Sequence, residues 1–151
     1  MSNYNSEAET RKHIAVVGKF ILKFVSLMFS RMECHDASKL GTPEKEIFDE
    51  YTPKLADITY GSDEYKKYLE EMKPALTHHY GFNSHHPEHF EKGVSGMSLM
   101  DITEMLCDWK AATLRHKDGN IYKSIEINQK RFGYSDELKS ILLNTAHNLN
   151  F

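Results

Sequence analysis

MECHDASKLGTPEKEIF, residues 32–48, carries a helix boundary and a concentrated group of ionisable side chains in seventeen positions. Gly41 stops the helical pattern that reaches it. Thr42-Pro43-Glu44 then restarts one, with Thr as N-cap, Pro at the first helical position and an acid in the first turn. The new helix should carry Ile47, Phe48, Tyr51 and Leu55 on its inner side. A helix that ends and another that begins within one short segment is the connection expected of a bundle.

Working upstream, the periodicity predicts one long helix from about Glu7 to Arg31, with Ile14, Val17, Ile21, Phe24 or Val25, and Met28 as its inner stripe. The apolar run Ile14–Phe29 is interrupted by Lys19 and Lys23 and is short for a comfortable bilayer crossing, so it reads as a buried amphipathic helix. Glu33–Leu40 reads as a short helix or turn. Downstream, Gly61-Ser62-Asp63 opens a helix with Tyr65, Tyr68, Leu69, Met72 and Leu76 on one stripe and a kink expected at Pro74. Residues 80–97 read as irregular, being punctuated by Gly81, Pro87, Gly93 and Gly96. Ser98 with Asp101 forms a capping-box signal for a helix running to about His116. A turn at Asp118-Gly119-Asn120 leads to two further helices near 121–131 and 135–148. No stretch alternates as a strand does. The expectation is an all-α, single-domain helical bundle over residues 1–151, with no internal boundary or repeat.

With 40% hydrophobic residues and a net charge of −3, the chain has ordinary globular composition and no general attraction to nucleic acid or to acidic lipid. Long nucleic acid and membranes are therefore not expected partners. A small phosphorylated substrate is compatible with this charge if a bound metal supplies the positive charge locally. Cys34 and Cys107 are the only cysteines and no secretory signal opens the chain, so a reducing, cytoplasmic setting is expected. The two thiols, beside candidate ligands, read as small buried packing groups. The long apolar helix permits a homodimer without requiring one.

The chemistry-bearing residues cluster. His35-Asp36 is a weak signal alone, since an exposed turn explains it equally well. His13 lies 22 positions upstream, Lys39 three beyond the Asp, and five of the nine histidines fall between 78 and 89. Asp101, Glu104 and Asp108 share a helix face at spacings of three, four and seven, next to Met105 and Trp109. Such a row is usually solvated, but the apolar flanks draw at least Asp108 inward. A divalent cation is held by imidazoles and carboxylates that converge from several rigid elements, and a bundle interior offers that.

The order helix His, then His-Asp, then a late Asp in a small helical chain resembles the HD-domain metal-dependent phosphohydrolases over roughly residues 13–110. The resemblance implies that His13, His35, Asp36 and Asp108 ligate a divalent metal, with Asp101 as runner-up for the last position. It implies that Lys39 helps to bind or activate the phosphate. Two-metal members of that superfamily add histidines before the final Asp, often as a doublet. Here His78-His79 and His85-His86 match that feature, followed by His89, which is a candidate for orienting a ligand. Where those members carry a further midway His, this chain offers Glu46 and Glu50. One or two ions of Mn, Fe, Co, Zn or Mg are implied, with Asp36, Lys39 and His79 in catalytic roles, and His79 or His86 as proton donor to the leaving oxygen. The substrate implied is a nucleotide phosphoester, either a nucleoside monophosphate or a cyclic nucleotide. Tyr60, Tyr80 and Phe82 are candidates to stack on its base. A di-iron oxygenase on the same scaffold, or a non-catalytic module binding metal or nucleotide, are the competing expectations.

Overall fold

Helices account for every regular element in a computed structural model of the chain, which describes residues 6–56, 58, 62–115 and 119–151. In order they are α1 (Ser6–Cys34), a 3-10 turn (Ala37–Leu40), α2 (Glu44–Ala56), α3 (Asp63–Glu71), α4 (Lys73–Phe82), two further 3-10 turns (Pro87–His89 and Gly93–Gly96), α5 (Leu99–Thr113), α6 (Ile121–Phe132) and α7 (Asp136–Asn148). No strand occurs among the described residues, so the protein is all-α. By backbone contacts the chain divides into two units, Met1–His35 and Asp36–Phe151.

The first unit is α1. Glu7 and Glu9 complement the positive end of the helix and Arg31 the negative end. Arg11–Glu7 and Lys12–Glu9 pairs, at 2.7 and 2.8 Å, brace the exposed first turns. None of its residues is buried, which corrects the expected buried stripe: Ile14, Val17, Ile21, Phe24 and Val25 are all exposed. Phe20, Leu22, Leu27, Phe29 and Met32 are exposed as well, so apolar side chains surround the helix instead of lining one face. With a mean hydropathy of 1.6 over its most apolar 18 residues, this helix is long and apolar enough to cross a membrane by length and composition.

In the second unit, α5, α6 and α7 pack around Val94, Leu106, Ile121, Ile125, Tyr134, Leu142 and Ala146. Trp109 stacks parallel to Phe132 at 6.3 Å and 4° on the rim of this core. The Ser98 capping box forms as expected, with Asp101 accepting from the Ser98 backbone N–H at 2.8 Å. Asn120 and Ser135 cap α6 and α7, and Gly133 ends α6 in the left-handed conformation at φ 66°.

A second packed region joins α2 to α4 through Met72, Ala75, Glu44 and His79. Here the expected kink at Pro74 is corrected. The helical stretch breaks at Met72, and Pro74 sits in the first turn of α4, where its missing N–H removes no intrahelical bond. As a result α4 extends to Phe82 and carries both His78 and His79. Tyr60, the Tyr65 side chain, His116 and Asp118 lie outside the described residues.

Candidate metal centre

Asp36 leaves α1 in the left-handed conformation, φ 56° and ψ 13°, and caps the 3-10 turn that follows. Asp tolerates this region better than most side chains, and such strain is commonly retained where function needs it. The turn folds Lys39 back onto its cap: Lys39 Nζ donates to Asp36 Oδ2 at 2.6 Å. That contact directs the other carboxylate oxygen, Oδ1, toward His79 Nε2 at 3.3 Å and His85 Nε2 at 3.4 Å.

His79 comes from α4, whereas His85 and His86 come from the bend just after it. His79 and His85 are each 2% exposed. His79 Nε2 lies 2.9 Å from His86 Nε2. Ligand atoms about 2.1 Å from one ion stand about 3.0 Å apart when cis in an octahedron and about 3.4 Å apart in a tetrahedron. The observed separations of 2.9, 3.3 and 3.4 Å fall on those edges. Asp36, His79, His85 and His86 each offer a ligand atom, all within 4.8 Å of one another. Three imidazoles and one carboxylate suit Zn, Fe, Co or Mn; Mg prefers oxygen ligands.

Carboxylates stand behind the imidazoles. Glu44, wholly buried, takes His78 Nδ1 on Oε1 at 2.7 Å and His79 Nδ1 on Oε2 at 2.8 Å. Glu104 Oε1 lies 3.2 Å from His85 Nδ1. Asn83 donates to Ser38 Oγ at 2.7 Å and to the His79 carbonyl at 2.8 Å, fastening the end of α4 to the 3-10 turn.

These surroundings separate the histidines electrostatically. Burial opposes a charge on His85, but hydrogen bonds to Asp36 and Glu104 and their negative charges outweigh it and push its pKa up to about 9. For His86, burial and then the charges of His85, His79 and Lys39 hold the pKa down at about 3. Burial, with the Lys39 charge, lowers that of His79 against the pull of Asp36 and Glu44. A cluster whose members are driven apart in this way is a functional-site signature.

Of the residues expected from the sequence, Asp36, His79, His85 and His86 are brought together, with Lys39 on the carboxylate. Asp108 is half-buried and offers an oxygen within 4.8 Å of one from Asp36. Asp101 is corrected as its runner-up, because its carboxylate closes the α5 cap on Oδ2 and accepts from Ser84 Oγ on Oδ1 at 2.6 Å. His78 does not join the four; its Nδ1 is on Glu44 and its ring stacks on Phe82 at 4.4 Å. His89 is exposed and bonds the Tyr80 carbonyl, so it orients none of the clustered side chains. Glu46 and Glu50 pair with Thr42 and Lys54 on the surface. Cys34 and Cys107 are exposed, correcting their expected burial. His13 lies exposed on α1, and half-buried His35 is the last residue of the first unit.

Glu44 was missed as a functional residue because an acid opening a helix looks like a solvated capping group. Glu104 stands out in the sequence only as one of three acids on a helix face. A recess of about 500 Å³ adjoins the cluster, sharing His86 and Asp108 and continuing along Tyr80, Trp109, Asn128 and Arg131. Phe82, expected as a base-stacking residue, is 72% exposed and does not line it.

No curated protein and no solved structure matches the chain. A family model does match, over residues 2–148, and the chain belongs to that family of unknown function, DUF5662.

Proposed function

We propose that this protein is a metal-dependent phosphohydrolase acting on a small nucleotide phosphoester, either a nucleoside monophosphate or a cyclic nucleotide. The observation that carries the reading is the meeting of three imidazole Nε2 atoms with Asp36 Oδ1 beside a lysine. His79, His85, His86 and Asp36 would hold the ion, with Asp108 facing Asp36. A divalent ion held there supplies positive charge for the phosphoryl oxygens and makes hydroxide available near neutral pH.

The chain's own residues do the rest. Lys39 fixes Asp36 through Oδ2, and its ammonium has two further N–H donors for a phosphate oxygen. Because burial lowers the pKa of both His79 and His86, they suit the ligand role better than that of proton donor. The recess beside His86 and Asp108 receives the organic part of the ester, with Tyr80 and Trp109 for a ring and Asn128 for its polar edge. Its cation, Arg131, is already held by Glu88 at 2.7 Å, which favours a substrate with few charges outside the reacting phosphate.

Phosphate release from nucleoside mono-, cyclic and triphosphates, with Mn, Co, Mg and Fe supplied in turn, tests the reading. The expected result is metal-dependent turnover of one class, lost in D36A while the far-UV spectrum persists. Tight metal binding with no turnover of any substrate would point to a non-catalytic module, and a coloured, iron-rich protein to an oxygenase. His13 and His35 enter as H13A and H35A in a metal titration. Weakened affinity adds each to the ligand set; wild-type affinity removes it.

A further inference from the structure

A carboxylate taken wholly out of water is costly unless several donors face it. Glu44 is 0% exposed, and its two oxygens receive two different imidazole N–H groups, from His78 at 2.7 Å and His79 at 2.8 Å. Successive residues on a helix point about 100° apart, from 3.6 residues per turn. A single group can bond both His78 and His79 only if it sits over the gap between them, and the first turn of α2 brings Glu44 there. His78 is held from its other side by its stack on Phe82, 26° from parallel.

The consequence for His79 is chemical. An ionised carboxylate only accepts hydrogen bonds, so the Nδ1 atom facing it carries the proton. In a neutral imidazole the other nitrogen then bears a lone pair. That nitrogen, Nε2, is the one aimed at His86 Nε2 and Asp36 Oδ1, at 2.9 and 3.3 Å. With Nδ1 protonated, His79 presents its Nε2 lone pair to His86 Nε2, where either a proton on His86 or a cation can lie between the two rings.

We propose that Glu44 is a positioning residue of the metal centre: it holds His79 in the Nδ1–H tautomer with Nε2 presented to the ion. Through His78 it also locks the rotation of the helix that carries this ligand. The inference rests on the metal-centre reading above. It separates Glu44 from Glu46 and Glu50, whose carboxylates bond exposed partners, Thr42 just before α2 and Lys54 within it.

The test is titration of the full-length protein with Co(II), followed by its visible absorption, on wild type, E44Q, E44D and H86A, together with ¹⁵N spectra of the histidine rings. In E44Q the amide accepts one N–H and must donate toward the other imidazole, so His79 loses its fixed tautomer. Co(II) affinity is expected to fall about 10–100-fold, the usual range for loss of a group that orients a ligand. E44D, which keeps the charge, should recover part of that loss. Wild-type spectra should show His79 protonated at Nδ1 before and after Co(II) is replaced by Zn(II). Wild-type affinity in E44Q, or an Nε2–H tautomer for His79 in the wild type, would overturn the role of Glu44. The ring spectra need no variant, so a poorly folding E44Q leaves the proposal testable. Failure of the metal reading itself looks different: wild type and H86A would then be equally unable to bind Co(II).

Discussion

Binding of a metal at this centre should release one proton near neutral pH, and the proton should come from His85. His85 is 2% exposed, with Asp36 Oδ1 3.4 Å from Nε2 and Glu104 Oε1 3.2 Å from Nδ1. Burial disfavours its charge, but these two carboxylates prevail and bring its pKa to about 9. At pH 7 the metal-free protein therefore carries a proton on Nε2, the atom an ion needs. His86, near 3, and His79, also lowered, are already neutral. A group two units above the working pH is about 1% deprotonated, so the proton weakens apparent affinity about 100-fold, or about 2.7 kcal/mol. The sign is fixed: affinity rises about tenfold per pH unit through the neutral range and levels off near pH 9, above which His85 is neutral. The metal-free fold runs the other way. Because the folded pKa lies above the unfolded value of 6.5, the His85 contribution to stability is complete below 6.5 and is lost as pH climbs through 9. Calorimetric Zn(II) titrations at pH 7 in two buffers of different ionisation enthalpy count the protons released, and repeats from pH 6.5 to 8 give the slope. In E104Q one carboxylate partner is gone, so both proton release and slope should shrink. A flat affinity profile with no proton released, in a protein that binds Zn(II) through these histidines, would refute the reasoning.

Other consequences concern the fold that carries the site. Tyr134 is 7% exposed, donates to the Ile125 carbonyl at 2.5 Å, and has its phenol pushed up to about 12 by burial. The Tyr134 contribution to stability should therefore be constant up to about pH 10 and decline from there toward 12 by about 2–3 kcal/mol, a decline absent from Y134F when the two proteins are compared in urea titrations at each pH. A Cβ placed on Gly96 would lie 2.8 Å from Phe90 Cβ, so G96A should lower the urea midpoint, with a cost of about 1–3 kcal/mol. Gly81, within α4, has nothing within 4 Å of such a Cβ, and G81A should raise stability by about 0.5–1 kcal/mol. Ile125, wholly buried in the α5–α7 core, should cost about 2–5 kcal/mol as I125A, measured the same way.

What the sequence announces well are features decided by neighbours in the chain. The start of α2 at Glu44, the capping box of Ser98 and Asp101, and the boundaries of α6 and α7 depend on local hydrogen bonds and backbone preferences. Thr42 and Pro43, however, both precede α2 and Thr42 Oγ1 donates to the Glu46 carboxylate, which corrects their expected places as N-cap and first helical residue. The histidine-rich stretch is equally visible as a place where chemistry gathers. Which histidines converge is not, because ring direction is set by partners far away: Glu44 lies 35 positions from His79, and Asp36 49 from His85. His78 and His79 look alike in sequence, yet one faces the centre and the other stacks on Phe82. Pro74 misled because a proline near the end of one apolar stripe and one opening the next helix give the same local pattern. Asp101 is distinguished from Asp108 in the sequence itself, since an acid at the third position of a capping box already has its carboxylate occupied. The periodicity in α1 suggested one apolar stripe, but the residues between its members are apolar too, so no single face is defined.

The central claim is that Asp36, His79, His85 and His86 form a metal site. Metal content of protein purified without added metal or chelator, measured by mass spectrometry for wild type and for H79A, H85A and H86A, tests it most directly. The account predicts stoichiometric transition metal in the wild type and loss of it in each variant, with helical far-UV spectra unchanged. A wild type that carries no metal and takes none up when Co(II) or Zn(II) is supplied, or variants that retain it fully, would contradict the claim.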